Sequence, residues 1–134
     1  LPWTPDDVRH LTRDLAIQIY KDTIFDKHGY GNITDTLLAT KVMDMAVNFG
    51  EMRGEKFMQR AVNACGWTPP LLCDGNLGSK SFAAINTFTD EPKRSQLLKA
   101  CCDQMRDFYN AIVERDPSQK VFLHGWLERA EWPF

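Results

Sequence analysis

The sequence predicts an all-α fold, a single compact domain of six or seven helices. Three observations predict it. Apolar residues recur at the helical period in segment after segment, and no stretch of any length alternates apolar with polar as a half-buried strand does. The glycines and prolines fall where helices start and stop. With 134 residues, 43% of them hydrophobic, the chain is long enough for one core and too short for two full domains.

Thr4-Pro5-Asp6-Asp7 opens the first, short helix, with a capping hydroxyl, proline at the first helical position and acids in the first turn. Thr12 caps a second helix whose apolar face is Leu15, Ala16, Ile19 and Tyr20. Lys27 to Asn32 is a break, since Gly29 and Gly31 permit backbone angles that end a helix, and His28 reads there as a solvated loop residue.

Thr34 or Asp35 then starts the central helix and Gly50 stops it. Val42, Met43, Met45, Ala46, Val47 and Phe49 cover nearly its whole circumference, so the helix is expected to be buried. Lys41, Asp44 and Asn48 form one narrow polar stripe along it. A buried polar stripe has two readings. In one, neighbours satisfy it: Asp44 holds a helix terminus with Lys41 as its partner, and Asn48 bonds to a loop. In the other, Asp44 and Asn48 are the floor of a groove that takes a polar ligand.

After Gly54 an amphipathic segment presents Phe57, Met58, Ala61, Val62 and Cys65 before Gly66 ends it, and the short connection suggests an antiparallel pair. Trp67 to Leu72 is a rigid connector because Pro69 and Pro70 lack backbone donors. Asp74-Gly75-Asn76-Leu77-Gly78-Ser79 begins like a calcium loop, yet Ile85 stands where a bidentate glutamate is required. It reads better as a turn in which Asp74 bonds its own backbone and Ser79 caps a helix with Phe82, Ala83 and Ile85 inward. Pro92 opens the longest helix, carrying Leu97, Leu98, Cys101, Met105, Phe108, Tyr109, Ile112 and Val113 at helical spacing. Pro117 breaks it at Asp116. A last helix carries Val121, Phe122, Trp126, Leu127 and Ala130, and Trp132-Pro133-Phe134 is an aromatic end expected to pack on the body.

Composition narrows the function. The net charge of −2, with bases scattered among acids, offers no footprint for nucleic acid or an anionic membrane surface. No apolar run approaches the roughly eighteen residues of a spanning helix, so the chain reads as soluble, with no membrane insertion and no export signal of its own. Cys65, Cys73, Cys101 and Cys102 match no zinc spacing, and no metal or other cofactor is expected. Cys65 and Cys73 flank a short loop and are either bridged or free thiols.

Five landmarks occur in one order: Leu11-Thr12 with Ala16 and Ile19-Tyr20; Asp44-x-Ala46-Val47-Asn48-x-Gly50; Gln59-Arg60-Ala61; Asp74-Gly75-x-x-Gly78; and Phe122-x-x-Gly125-Trp126-Leu127-x-Arg129. Together they resemble glycoside hydrolase family 108, the lysozyme-like muramidases of phages and bacteria also described as secretion activator proteins. The resemblance covers nearly the whole chain. It implies a lysozyme-like helical domain whose C-terminal part is residues 1–66, with residues 67–134 as a predicted peptidoglycan-binding region packed on it. It also implies a protein that cleaves glycosidic bonds of the bacterial cell wall, acting in the periplasm or at the wall, with peptidoglycan glycan strands as its partner.

The chain departs from the family in three places. Ser79 and Ser81 replace the usual proline and threonine after the Asp74 turn, and Thr23-Ile24-Phe25 stands where a Tyr-Trp pair is usual. The family's Glu-Gly-Gly-Tyr segment, whose glutamate resembles the general acid of other lysozymes, is not found before Leu1. Glycoside cleavage needs a protonated carboxyl at the leaving oxygen and usually a second carboxylate. Asp44 alone is half of that, so this chain is expected to be the helical body of a muramidase, catalytically silent alone, with no catalytic residue assigned. Asp44 and Asn48 are expected to line the substrate cleft and Tyr20 to bond sugar hydroxyls, while Trp126 either stacks on a sugar ring or fills the core. Asp74, Gly75 and Gly78 form the structural turn. The alternatives are a non-catalytic peptidoglycan-binding module and an unrelated helical interaction module.

Overall fold

Thr12 does cap a helix: its hydroxyl oxygen accepts from the Leu15 N–H at 3.1 Å and opens α1 (Arg13–Tyr20). The computed structural model describes residues 12–132, so the helix expected at Thr4-Pro5-Asp6-Asp7, and Pro133 and Phe134, lie outside the described residues. α1 runs into a wider π-helical stretch (Lys21–Asp26). Its expected apolar face is only partly covered, since Leu15 and Tyr20 stay exposed. Gly29, at φ 73°, ends the stretch as expected and leads into a 3-10 turn (Tyr30–Asn32) that buries Tyr30 completely.

Asp35 caps α2 (Thr36–Phe49), accepting from the Leu38 N–H at 3.0 Å, and Gly50 stops it with φ 88°. This helix is not buried all round. Leu38, Val42, Met45 and Ala46 enter the core, while Leu37 and Val47 on the other side remain exposed.

α3 (Glu51–Ala64) begins immediately after Gly50, so the connection is one residue and not the longer loop expected up to Gly54. Gly54 lies inside α3, and it has a packing reason to be glycine. A Cβ there would sit 2.6 Å from the Ala46 nitrogen and 2.7 Å from the Met45 carbonyl carbon, both backbone atoms of α2. The two helices approach as closely as they do because that atom is missing.

α4 (Ser79–Ile85) continues into a 3-10 turn (Asn86–Phe88). Two expectations here are corrected. Gly78 occupies the capping position and no side chain caps the helix, so Ser79 is its first residue and not its cap. Ala84 faces inward beside Ile85, whereas Ala83 is exposed.

α5 (Lys93–Arg115) follows Pro92 and ends at Asp116, whose carboxylate accepts from the Ser118 N–H at 3.2 Å to shape a 3-10 turn (Pro117–Gln119). α6 (Lys120–Glu131) completes the fold. Val121 and Phe122 were expected on its apolar face but are exposed, and Leu123, Trp126 and Ala130 make the contacts with the core.

Six α-helices and no strand are found among the described residues, and α2, α3, α5 and α6 share a single core. Met45, Met58, Val62, Leu97, Leu98, Cys101 and Met105 are at its centre. All four cysteines are free thiols, which resolves the open question at Cys65 and Cys73.

Candidate functional site

The stripe on α2 draws the end of α6 against it. Lys41, with no exposed surface, donates its ammonium to the carbonyls of Ala130 at 2.8 Å and Trp132 at 2.6 Å. A cation at the C-terminal end of a helix satisfies orphan carbonyls and complements the helix dipole. Lys41, and not Asp44, therefore holds the helix terminus.

Asp44 takes a different partner. Its Oδ1 forms an ion pair with the Arg129 guanidinium at 2.8 Å and accepts from Asn48 Nδ2 at 2.9 Å, while Oδ2 lies 3.6 Å from Lys41 Nζ with no hydrogen-bond partner. Asn48 turns back on its own helix, donating also to the Asp44 carbonyl at 2.8 Å, where a loop contact was expected. Burial holds the Asp44 carboxyl above its ordinary pKa of 3.8, against the opposing pull of Lys41 and Arg129.

Beside this stripe runs an open cleft of about 490 Å³. Phe25, Ile33, Ala39, Met43 and Val47 make its floor apolar, and Tyr20, Thr36, Thr40, Asp44, Arg129 and Trp132 supply the polar and aromatic parts. Tyr20 and Trp132 are each about half exposed, and the Arg129 guanidinium lies 5.4 Å from the Trp132 ring centroid. Asp44 reaches the cleft at its wall, yet its carboxylate has no exposed surface, so it acts on the cleft through the guanidinium it anchors.

Of the residues singled out from the sequence, the structure brings Tyr20 and Asp44 to this cleft, whereas Asn48 does not line it and is taken up by Asp44. Trp126 does not line it. Trp126 stacks on Tyr109 at 5.3 Å and on Phe122 at 5.7 Å, in an aromatic row on the α5–α6 side. Arg129 and Trp132 are the cleft residues that sequence reasoning left out of the site. Arg129 stood in the Gly125-Trp126-Leu127-x-Arg129 landmark, which was the available signal.

A second polar seam lies on α3, where the sequence marked Gln59 and the Asp74 turn only as landmarks and did not mark Glu55. Glu55 is buried and accepts from the Leu77 N–H at 2.8 Å and the Tyr30 hydroxyl at 3.0 Å, with His28 Nδ1 at 3.1 Å. His28 is thus part of a buried network and not a solvated loop residue. Burial first, then the Glu55 charge, pushes the Tyr30 hydroxyl far above its ordinary pKa.

One turn along α3, Gln59 Nε2 donates to Asp74 Oδ1 at 3.0 Å, the Asn76 carbonyl at 3.1 Å and Ser81 Oγ at 3.2 Å, and Gln59 Oε1 accepts from the Gly75 N–H at 2.9 Å. Asp74 also accepts from the Asn76 N–H at 3.0 Å, the self-bonded turn the sequence predicts. Gly75, at φ 76°, has Met52 atoms 2.6 Å from where a Cβ would lie. Gly78 has no such restriction.

No group of three His, Cys, Asp or Glu side chains comes together among the described residues in a way that could hold a metal ion. No helix among them is long and apolar enough to cross a membrane.

Comparison with known families divides the chain near the α2–α3 junction. Residues 2–50 match the family model described as Glycosyl hydrolase 108, and residues 53–131 match the one described as Predicted Peptidoglycan domain. No curated protein matches the chain.

Proposed function

We propose, because this chain belongs to the Predicted Peptidoglycan domain family over residues 53–131 and matches the Glycosyl hydrolase 108 model over residues 2–50, that the cleft beside α2 holds a glycan strand of peptidoglycan. The observation that carries this reading is the cleft itself. An apolar floor with Tyr20 and Trp132 at the sides suits the apolar faces of sugar rings, and Arg129 is a fixed donor for their oxygens. Asp44 serves as a positioning residue: it holds Arg129 while Asn48 holds it in turn.

The complete protein is a glycoside hydrolase acting on peptidoglycan. The described residues alone do not assemble its chemistry at this cleft. Hydrolysis requires an acid and usually a second carboxyl on either side of the glycosidic oxygen, and Asp44 is the one carboxyl lining the cleft among the described residues. We assign to this cleft the holding of the strand and to carboxyls outside the described residues the cleavage.

Co-sedimentation with purified sacculi tests the reading. The chain should sediment with them without releasing reducing sugar, and Tyr20→Ala with Arg129→Ala should weaken retention about tenfold, the loss of one charge-assisted bond and one aromatic contact. Retention unchanged by the double substitution would reject the cleft as the binding site. Sugar release by the chain alone would reject the division of labour.

A further inference from the structure

A second trough, of about 440 Å³, lies at the α2–α3 junction, where the two family segments meet, and shares no lining residue with the first. Its floor is aromatic and interlocked. Phe49, Phe57 and Phe108 meet edge to face, with ring centroids 5.1 to 5.9 Å apart. Above that floor α3 places Arg53, Lys56 and Arg60, spaced three and four residues apart and therefore on one helix face. The Arg53 guanidinium lies 4.6 Å from the Phe108 centroid, so the ring face orients it while leaving its planar donors free.

Unpaired lysines such as Lys27, Lys93 and Lys120 occur elsewhere among the described residues, and this cluster stands apart because its three cations line one trough over an aromatic floor. Lys41, Arg94, Lys99, Arg106 and Arg129 each meet a carboxylate within 4 Å, whereas none of Arg53, Lys56 and Arg60 does so among the described residues. Glu51 also lines the trough, but its carboxylate stands 4.0 Å from His28 Nε2. On a chain of net charge −2, three cations over an aromatic floor make a local site for an anion with an apolar body.

We propose that this trough binds the peptide stems of peptidoglycan, through their free carboxylates on Arg53, Lys56 and Arg60 and their aliphatic parts on the phenylalanine floor. The proposal rests on the reading that peptidoglycan is the partner, and it adds a second recognition element separate from the glycan cleft. Sugar hydroxyls are neutral and give three cations nothing to select, while the stems carry carboxylates at peptide spacing. A groove of this size is within the usual range of small-ligand sites.

The test uses three probes: intact sacculi, glycan strands stripped of their stems by an amidase with the lactyl carboxylates so released then capped as amides, and a synthetic L-alanyl-γ-D-glutamyl-L-lysine tripeptide with its fully amidated analogue. The chain should bind the tripeptide and not the amidated analogue. Arg53→Gln, Lys56→Gln and Arg60→Gln together should lose tripeptide binding and about tenfold of the retention on intact sacculi, with retention on stripped glycan unchanged. Arg53 and Arg60 are exposed, so the single Arg60→Gln variant, checked by a thermal melt, should retain the fold and still weaken tripeptide binding. Equal binding of tripeptide and amidated analogue, or wild-type retention by the triple variant, would overturn the proposal. So would preference for poly(glycerol phosphate) over the tripeptide. Loss of stripped-glycan binding with tripeptide binding intact would instead reject the glycan cleft and leave this trough standing.

Discussion

The polar seams on α2 and α3 are built on adjoining helices and solve the same problem in opposite ways. On α2 the buried groups are charges, Lys41 and Asp44, and Asp44 pairs with the exposed Arg129. One carboxylate oxygen there has no hydrogen-bond partner. On α3, Glu55 and Gln59 spend their polar atoms on backbone groups, a hydroxyl, a ring nitrogen and a turn, and no atom of either is left over among the described residues. The first arrangement borders an open cleft and the second closes a loop onto the core. A fully bonded seam stabilises the fold, whereas a partly satisfied one stabilises it less and leaves a charge arrangement beside a site.

Breaking that contrast at its strong end gives the largest expected effect. Glu55→Ala strands the Leu77 N–H and the Tyr30 hydroxyl in the core, at roughly 1–3 kcal/mol for each unsatisfied group. We expect a loss of about 4 kcal/mol by urea unfolding, with the Asp74–Ser81 segment losing amide protection first. Lys41→Met should cost less, about 3 kcal/mol, the lower end for breaking a buried pair. It frees the Ala130 and Trp132 carbonyls and so should loosen the end of α6, which amide exchange would register as faster exchange near the helix end. If Lys41→Met cost as much as Glu55→Ala, the two seams would be equivalent and the contrast would fail.

Gly54→Ala sharpens the comparison because it strikes the crossing between the two helices and neither seam directly. The added methyl meets backbone that cannot rotate away, so α2 and α3 must separate. About 2 kcal/mol is expected, read as a shift in the urea midpoint with an unchanged slope. An unaffected midpoint would mean that the close approach at Ala46 contributes little.

How much of this was legible in the chain depended on the background against which each residue stood. Lys41, Asp44 and Asn48 were visible because their stretch of helix is otherwise largely apolar, so a polar stripe there stood out. Glu55 and Gln59 are equally buried, but α3 also carries Glu51, Arg53, Lys56 and Arg60, and against that polar background their burial has no local signature. The partners were illegible for a different reason. Lys41 reaches carbonyls of Ala130 and Trp132, distant in the sequence, and no local pattern contains a backbone carbonyl. Gly54 shows a third case: a glycine that ends a helix and one that lets two helices touch have the same letter, and only the facing backbone distinguishes them. Helix class and order, which rest on local spacing and caps such as Thr12, Asp35 and Gly50, were readable. The faces of α1 and α6 were less so, because Leu15, Val121 and Phe122 have the right spacing for burial and too little neighbouring surface to cover them.

The smallest effect separates the seams by sign. Burial holds Asp44 above its ordinary pKa of 3.8, so its contribution to stability is full below that value and is lost as pH rises through the folded-state pKa. Asp74 is the reverse. The Gln59 amide, then the Asn76 N–H, hold it below 3.8, so its contribution is present above that value and is lost as pH falls through the folded-state pKa. Wild type minus Asp44→Asn should therefore grow on acidification above about pH 4, and wild type minus Asp74→Asn should shrink on acidification below about pH 4. Urea midpoints of all three proteins, taken from about pH 7 down to about pH 3, measure both differences with the general acid response cancelled. Slopes of the same sign would mean that Lys41 and Arg129 outweigh burial at Asp44. Its carboxylate would then be an ordinary ion-pair partner, and the uneven satisfaction that distinguishes the α2 seam from the α3 seam would lose its energetic consequence.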